Sequence, residues 1–192
     1  MDIPLLWHIP LSHYNEKVRW ALDYKGIAHH RRVLGADYLI RAWRATGQGK
    51  LPILWLDGRA IADSTRIIAA LEERYPEPAL WPADPAERAR GRLLVERFDS
   101  FSRPYYALRR GEEDARERLD QQLASLDDLL AGRPYLTGRE FGLADIAYLP
   151  WILRAESNLG VDLGSHSALA DWVERVSERP SVAAERVVLA AL

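Results

Sequence analysis

Three short stretches of the 192-residue chain carry side chains whose type and spacing suit binding or proton chemistry. Ser12 follows Pro10 and opens a segment with helical spacing, where its hydroxyl can accept from a free backbone N–H as an N-cap. The same helix start favours an anion, so a ligand thiolate placed there would gain from the dipole and from the hydroxyl. Both readings stand on Ser12 alone. Lys50-Leu51-Pro52 precedes an apolar run, and a proline at a strand's entrance lacks the N–H that an interior position would need. A cis bond at Pro52, against the trans preference of X-Pro bonds, would turn the Leu51 backbone outward to pair with an extended peptide as another strand would. Asp63-Ser64 puts two cap-capable side chains at one helix start. One cap suffices, and a helix start suits a carboxylate while Asp63 suits an ammonium group, so the pair fits the two charges of an amino-acid end. Asp145, three residues after Gly142, can reach back to the Gly142 N–H as half of a capping box, which is fold chemistry rather than catalysis.

These residues need elements to hold them. Ile3 to Trp7 is a short apolar run ended by Pro10, and Tyr14, Val18, Ala21 and Leu22 repeat at helical spacing until Gly26. His29 to Leu34 reads as a second strand, Asp37 to Ala45 as a second helix, and Gly47-Gln48-Gly49 as the returning loop. Ile53 to Leu56 and Arg59 to Ile61 flank Asp57-Gly58, a strong hairpin signal, and Ile67, Ile68, Leu71 and Tyr75 mark a third helix. The order is βαβαββα over residues 1–78. Prolines between Pro76 and Pro85 punctuate a linker placed at 79–86. From 87 to 192 the pattern is helical throughout: one helix around Leu93 to Phe101, one around Leu119 to Leu130, then Ile146 to Glu156, Ala168 to Glu178 and a short closing helix, Val182 to Leu189. Pro150 should bend its helix by deleting the bond to Ile146. The fold class is therefore α/β plus all-α.

Composition narrows the chemistry. With 26 basic and 28 acidic residues the formal charge is −2, which offers no general attraction for nucleic acid or an acidic membrane. Cysteine is absent, removing disulfides, thiolate metal sites and any protein thiol nucleophile. Met1 to Tyr14 shows no basic n-region and no cleavage site, and no run of about 18 apolar residues occurs, so a cytoplasmic protein is expected.

In this order the pieces resemble the cytosolic glutathione transferase family, of the type with a serine or cysteine at the first helix. The matches are Ser12-His13-Tyr14-Asn15-Glu16-Lys17-Val18-Arg19, Gly49-Lys50-Leu51-Pro52, Asp63-Ser64 and the capping segment Leu136 to Asp145, and they span essentially the whole chain. The resemblance implies a thioredoxin-like N-terminal domain that binds glutathione and an all-helical C-terminal domain that lines a second-substrate pocket. It implies that Ser12 is the catalytic hydroxyl that favours the glutathione thiolate. Leu51, presented by the Pro52 turn of the glutathione-binding site, would pair through its backbone with the cysteinyl part, Asp63 and Ser64 hold the γ-glutamyl end, and Lys50 attracts the glycyl carboxylate. Three contacts then run along one tripeptide. Pocket lining would come from His13, Tyr14, Phe98, Tyr105 and Tyr106. A homodimer with a detoxification role, and no metal, complete the expectation. His13 stands where many relatives carry proline, and Gly142 where a Ser or Thr is usual.

Other residues compete for the chemistry. The first strand ends in Trp7-His8, not in the tyrosine that some relatives use. Tyr14, spaced with Val18, reads as core or pocket lining, and His13 as a solvated or hydrogen-bonded residue. His29 and His30 are neighbours on a strand and point to opposite faces, a poor metal pair. The leading function is activation of the glutathione thiol for addition to a small, apolar electrophile. A glutathione-dependent isomerase or dehalogenase shares every motif, and a non-catalytic binding or regulatory relative keeps the fold alone.

Overall fold

The computed structural model describes residues 2–10, 12–180 and 182–183. The chain divides into two units, Met1–Leu80 and Trp81–Leu192. Unit 1 runs β1 (Leu5–His8), α1 (His13–Tyr24), β2 (His30–Val33), α2 (Tyr38–Thr46), β3 (Ile53–Leu56), β4 (Arg59–Ala62) and α3 (Ser64–Arg74). The four strands form one mixed sheet in the order β2-β1-β3-β4, with β1 parallel to β2 and antiparallel to β3, and β3 antiparallel to β4. This is the thioredoxin-like arrangement. Asp57 and Gly58 both have positive φ, 47° and 76°, the two-residue turn whose twist matches paired strands.

Side chains alternate across the sheet, and the two faces are filled differently. Leu6 and Leu54 point to one face and are fully buried, while α1 packs on α3 and α3 on β3 and β4. On the other face α2 contributes small residues, with Ala42 and Ala45 lying against Ile53, Ala62, Trp7 and Trp55. The chain end of α1 is fixed by an ion. Lys25 buries its ammonium completely, pairs with Glu72, and donates to the carbonyls of Tyr75 at 2.6 Å and Pro78 at 2.9 Å. These carbonyls follow the last turn of α3, where a cation is favoured and acceptors would otherwise lack partners. Glu72 also accepts from the Leu80 N–H at 2.9 Å, so one buried pair gathers the exit of α3 and the segment after it.

Unit 2 is helical among the described residues: α4 (Pro85–Phe101), α5 (Arg103–Arg109), a 3-10 turn η1 (Glu113–Ala115), α6 (Arg116–Leu130), α7 (Leu143–Leu159) and α8 (Ser167–Ser177). Pro85, read from sequence as part of a linker, is the first residue of α4. That position needs no N–H, and the Asp84 carboxylate caps it by accepting from Ala86 and Glu87 at 2.9 Å. The pattern missed α5 as a separate helix. Pro104 cannot donate back to continue α4, so the chain restarts after Ser102. α7 runs unbroken through Pro150 and is buried from Leu143 to Ala155. Of the closing helix expected over 182–189, residues 184–189 lie outside the described residues. No helix among the described residues is long and apolar enough to cross a membrane.

Asp145 organises this unit. Fully buried, its carboxylate accepts from the Leu136 N–H at 3.0 Å, the Gly142 N–H at 3.0 Å and the Trp172 indole at 2.8 Å. Gly142 has no side chain to return the bond, so half of the capping box forms, as the spacing indicated. Burial pushes the carboxyl up from 3.8 to about 6, opposed by the three N–H donors.

Two outcomes follow from these buried ions. Lys25→Met leaves Glu72 and two carbonyls without their cation and should lower the unfolding free energy by about 2–3 kcal/mol in urea titration. A loss under about 0.5 kcal/mol would remove Lys25 from this role. For Asp145 the folded state keeps a proton that the unfolded chain has lost between pH 3.8 and about 6. Its contribution to stability therefore falls as pH rises through that window and is level above it. The stability difference between wild type and Asp145→Asn, read from urea midpoints against pH, should move against wild type across the window; a pH-independent difference contradicts this.

Candidate functional site

The register brings the sequence candidates of unit 1 to one end of the sheet. Trp7 pairs with Ile53, and Ile53 with Ala62. The chain leaving β1 toward Ser12, the chain entering β3 from Pro52 and the chain leaving β4 toward Asp63 therefore emerge side by side. α1 and α3 both begin here, so two helix N-termini, with their positive dipole ends, face the same region.

Ser12 occupies the N-cap of α1 with extended backbone, φ −108° and ψ 118°. Its carbonyl accepts from the N–H groups of Asn15 and Glu16 at 2.9 Å, while its hydroxyl makes no cap bond. Of the two readings open for this hydroxyl, capping is not the one realised. The Leu51–Pro52 bond is cis, Pro52 is buried, Leu51 is half-buried against the Ala42–Ile53 cluster, and Lys50 is exposed. Asp63 takes the cap of α3: its Oδ1 accepts from Thr65 at 2.9 Å and from Arg66 at 3.2 Å. Its backbone has φ 78° and ψ 123°, a conformation that costs a non-glycine residue of order 1–3 kcal/mol and clusters at functional sites. Ser64, buried, is the first residue of α3.

Beneath Ser12 lies a polar layer that the sequence pattern did not reveal. Nine of the twelve residues of α1 are buried, among them Asn15, Glu16, Lys17 and Arg19. Asn15 reaches back one turn to accept from the Ile9 N–H at 3.4 Å, tying the helix to the loop that carries Ser12. Arg19 lies 3.4 Å from the His8 ring and 3.7 Å from the Glu16 carboxylate. A polar residue at the third helical position after a candidate cap was the available signal for Asn15. For the charged residues there was no such signal, because periodicity marks apolar positions only.

The remaining candidates separate. His13 is buried, 5 % exposed, with its ring centroid 3.9 Å from that of Tyr14. Tyr14 itself is 36 % exposed, so its spacing with Val18 does not carry it into the core, although its neighbours His13, Asn15 and Glu16 are buried. His29 pairs with Ile27 O at 2.8 Å and with Arg31, whose guanidinium grips Asp23. Among the described residues no three His, Asp or Glu side chains gather as a metal site. In unit 2, Phe98 and Tyr105 belong to the packed interior. Phe98 stands edge-on to Tyr148 at 5.1 Å, and the Tyr105 hydroxyl accepts from Asn158 at 2.9 Å. Tyr106 is half-buried beside a cavity.

Comparison with known proteins covers both units. Residues 6–79 match the glutathione S-transferase N-terminal domain and residues 95–180 the glutathione S-transferase C-terminal domain. A maleylacetoacetate isomerase from Pseudomonas aeruginosa is 32% identical over 185 residues, 86% of this chain and 87% of that protein. A stringent starvation protein A homolog from Pasteurella multocida is 28% identical over 176 residues, 88% and 82% of the two chains. Among solved structures, a glutathione S-transferase from Rhodospirillum rubrum aligns with a TM-score of 0.82 at 28% identity, covering 93% of this chain and 90% of that one.

Asp63 offers a test of local strain and capping. Asp63→Ala loses the cap and places alanine at positive φ, so stability should fall by about 2 kcal/mol. Asn caps and tolerates positive φ, and Asp63→Asn should stay within about 0.5 kcal/mol of wild type. Equal losses in the two variants, measured by urea unfolding, would contradict this assignment.

Proposed function

The chain belongs to the glutathione S-transferase family, and from that premise we propose that it is a glutathione transferase-type enzyme acting on a small, apolar electrophile. The supporting observation is Ser12, an N-cap residue whose hydroxyl is not spent on the cap. In this reading the hydroxyl donates to the sulfur of bound glutathione, and the N-terminus of α1 adds its dipole in favour of the thiolate. The thiol proton passes to solvent, and the sulfur electron pair forms the new C–S bond at the electrophilic carbon as the π bond there opens, its electron pair moving to the neighbouring atom, which takes a proton from solvent.

Binding is divided along the tripeptide. The Leu51 backbone pairs with the cysteinyl unit as an added strand. Asp63 uses Oδ1 for its cap, and its other oxygen takes the γ-glutamyl ammonium. The Ser64 hydroxyl and its backbone N–H, at the start of α3, receive the carboxylate of the same end. Exposed Lys50 draws the glycyl carboxylate by charge. The bond that the Ile9 N–H donates to Asn15 Oδ1 helps keep the chain before Ser12 against α1. A second reading, a glutathione-dependent isomerase, has support from the 32% identical isomerase. It uses the same thiolate, adding it to the substrate and then expelling it.

Retention on immobilised glutathione, followed by a conjugation assay, tests the proposal. Wild type and Ser12→Ala should both be retained, and Ser12→Ala should lose about a hundredfold in kcat. Equal activity in the two proteins would disqualify Ser12 as the activating group. Failure of wild type to be retained would overturn the glutathione site.

A further inference from the structure

Where α5 passes through η1 into α6, unit 2 forms a cavity of about 420 Å³ whose lining residues all fall between 103 and 118. Buried Pro104 and Ala107 and the half-buried ring of Tyr106 supply its apolar part. Arg103, Arg110, Arg118 and Glu112 supply the rest, three guanidiniums against one carboxylate. Arg103 and Arg110 stand seven residues apart, about two turns of α5, and so project from the same side of the segment. Arg118 faces them from α6.

Little inside the protein satisfies these cations. Arg110 pairs with Glu112 at 2.7 Å and Arg118 with Asp114 at 3.3 Å, but both pairs lie well exposed, and such pairs hold their partners weakly against a competing anion. Arg103 has no ion-pair partner among the described residues. Burial, and after it the neighbouring Tyr105, pushes the Tyr106 phenol up to about 12, so that ring adds no negative charge near neutral pH. An apolar floor beneath a cationic rim selects a ligand with a flat hydrophobic body and one acidic group.

We propose that this cavity binds a small aromatic carboxylate, its ring on Pro104, Ala107 and Tyr106 and its carboxylate held by Arg103, Arg110 and Arg118. Guanidinium suits that carboxylate because its planar fork matches the two oxygens. No residue is shared with the glutathione contacts, so glutathione retention and naphthoate binding fail independently, while Tyr106, expected from the resemblance to line the second-substrate pocket, is here assigned to this cavity.

Calorimetric titration of the full chain with 1-naphthoate provides the test. Binding should be one to one, weaken as salt is raised, and persist unchanged in saturating glutathione. The uncharged isostere 1-naphthamide should bind roughly tenfold more weakly or worse. Arg103→Gln should weaken naphthoate about fivefold to tenfold without shifting Tm, since Arg103 is exposed and forms no ion pair. Arg118→Gln, on the opposite wall, should weaken it in the same direction. Absence of binding, equal affinity for the amide, indifference to both substitutions, or displacement by glutathione would each overturn the proposal.

Discussion

The antiparallel pairing of β3 with β1 is the constraint on which the candidate site depends. Through Trp7, Ile53 and Ala62 it lines up three chain segments that lie far apart in sequence. A slip of one residue would exchange the faces of every side chain in β3, sending buried Leu54 to the side of α2 and Trp55 to the side of α3. That exchange is opposed by the complete burial of Leu6 and Leu54 and by the two-residue turn at Asp57-Gly58, which sets the β3–β4 register. Ser12, Leu51 and Asp63 inherit their proximity from a ladder whose stability comes from elsewhere.

Each unit also spends a buried ionic group on an otherwise awkward chain end. Lys25 collects carbonyls where α3 stops, and Asp145 collects N–H groups where α7 starts. Both arrangements answer the same requirement, since a helix terminus has polar backbone groups without helical partners and burial removes water as a substitute. In each case the charge sign is the one that the helix dipole favours. Around Ser12 the logic differs. The cap position is filled while its hydroxyl is held back, and the loop is anchored instead by Asn15 from one turn inside the helix.

The architecture was legible in the sequence because its signals are local. Asp57-Gly58 announces a hairpin, Gly26 and Gly47 end helices, and Leu119, Leu123, Leu126 and Leu130 trace the buried stripe of α6. Asp63-Ser64 was visible as a helix start, although which of the two caps was not, because either side chain can accept the same bonds. The polar layer of α1 was hidden. Glu16, Lys17 and Arg19 have the composition of a solvated face, and only the packing of that helix on nearly every side buries them. Phe98 and Tyr105 show the converse limit. An aromatic residue at helical spacing lines a cleft or fills a core according to what the neighbouring helices present, and here Tyr148 and Trp151 present a core. A break within a helical stretch was equally hard to place: Pro104 restarts the chain as α5.

The central claim, that the start of α1 with the Ser12 hydroxyl favours a bound thiolate, is tested most directly by titrating the thiol of glutathione on the protein, following thiolate absorbance against pH. A free thiol of this type titrates near about 8.5. The account predicts a midpoint lower by roughly one to two units when glutathione is bound, and a return toward the free value in Ser12→Ala. A bound thiol that titrates at the free value in the wild-type protein would contradict it.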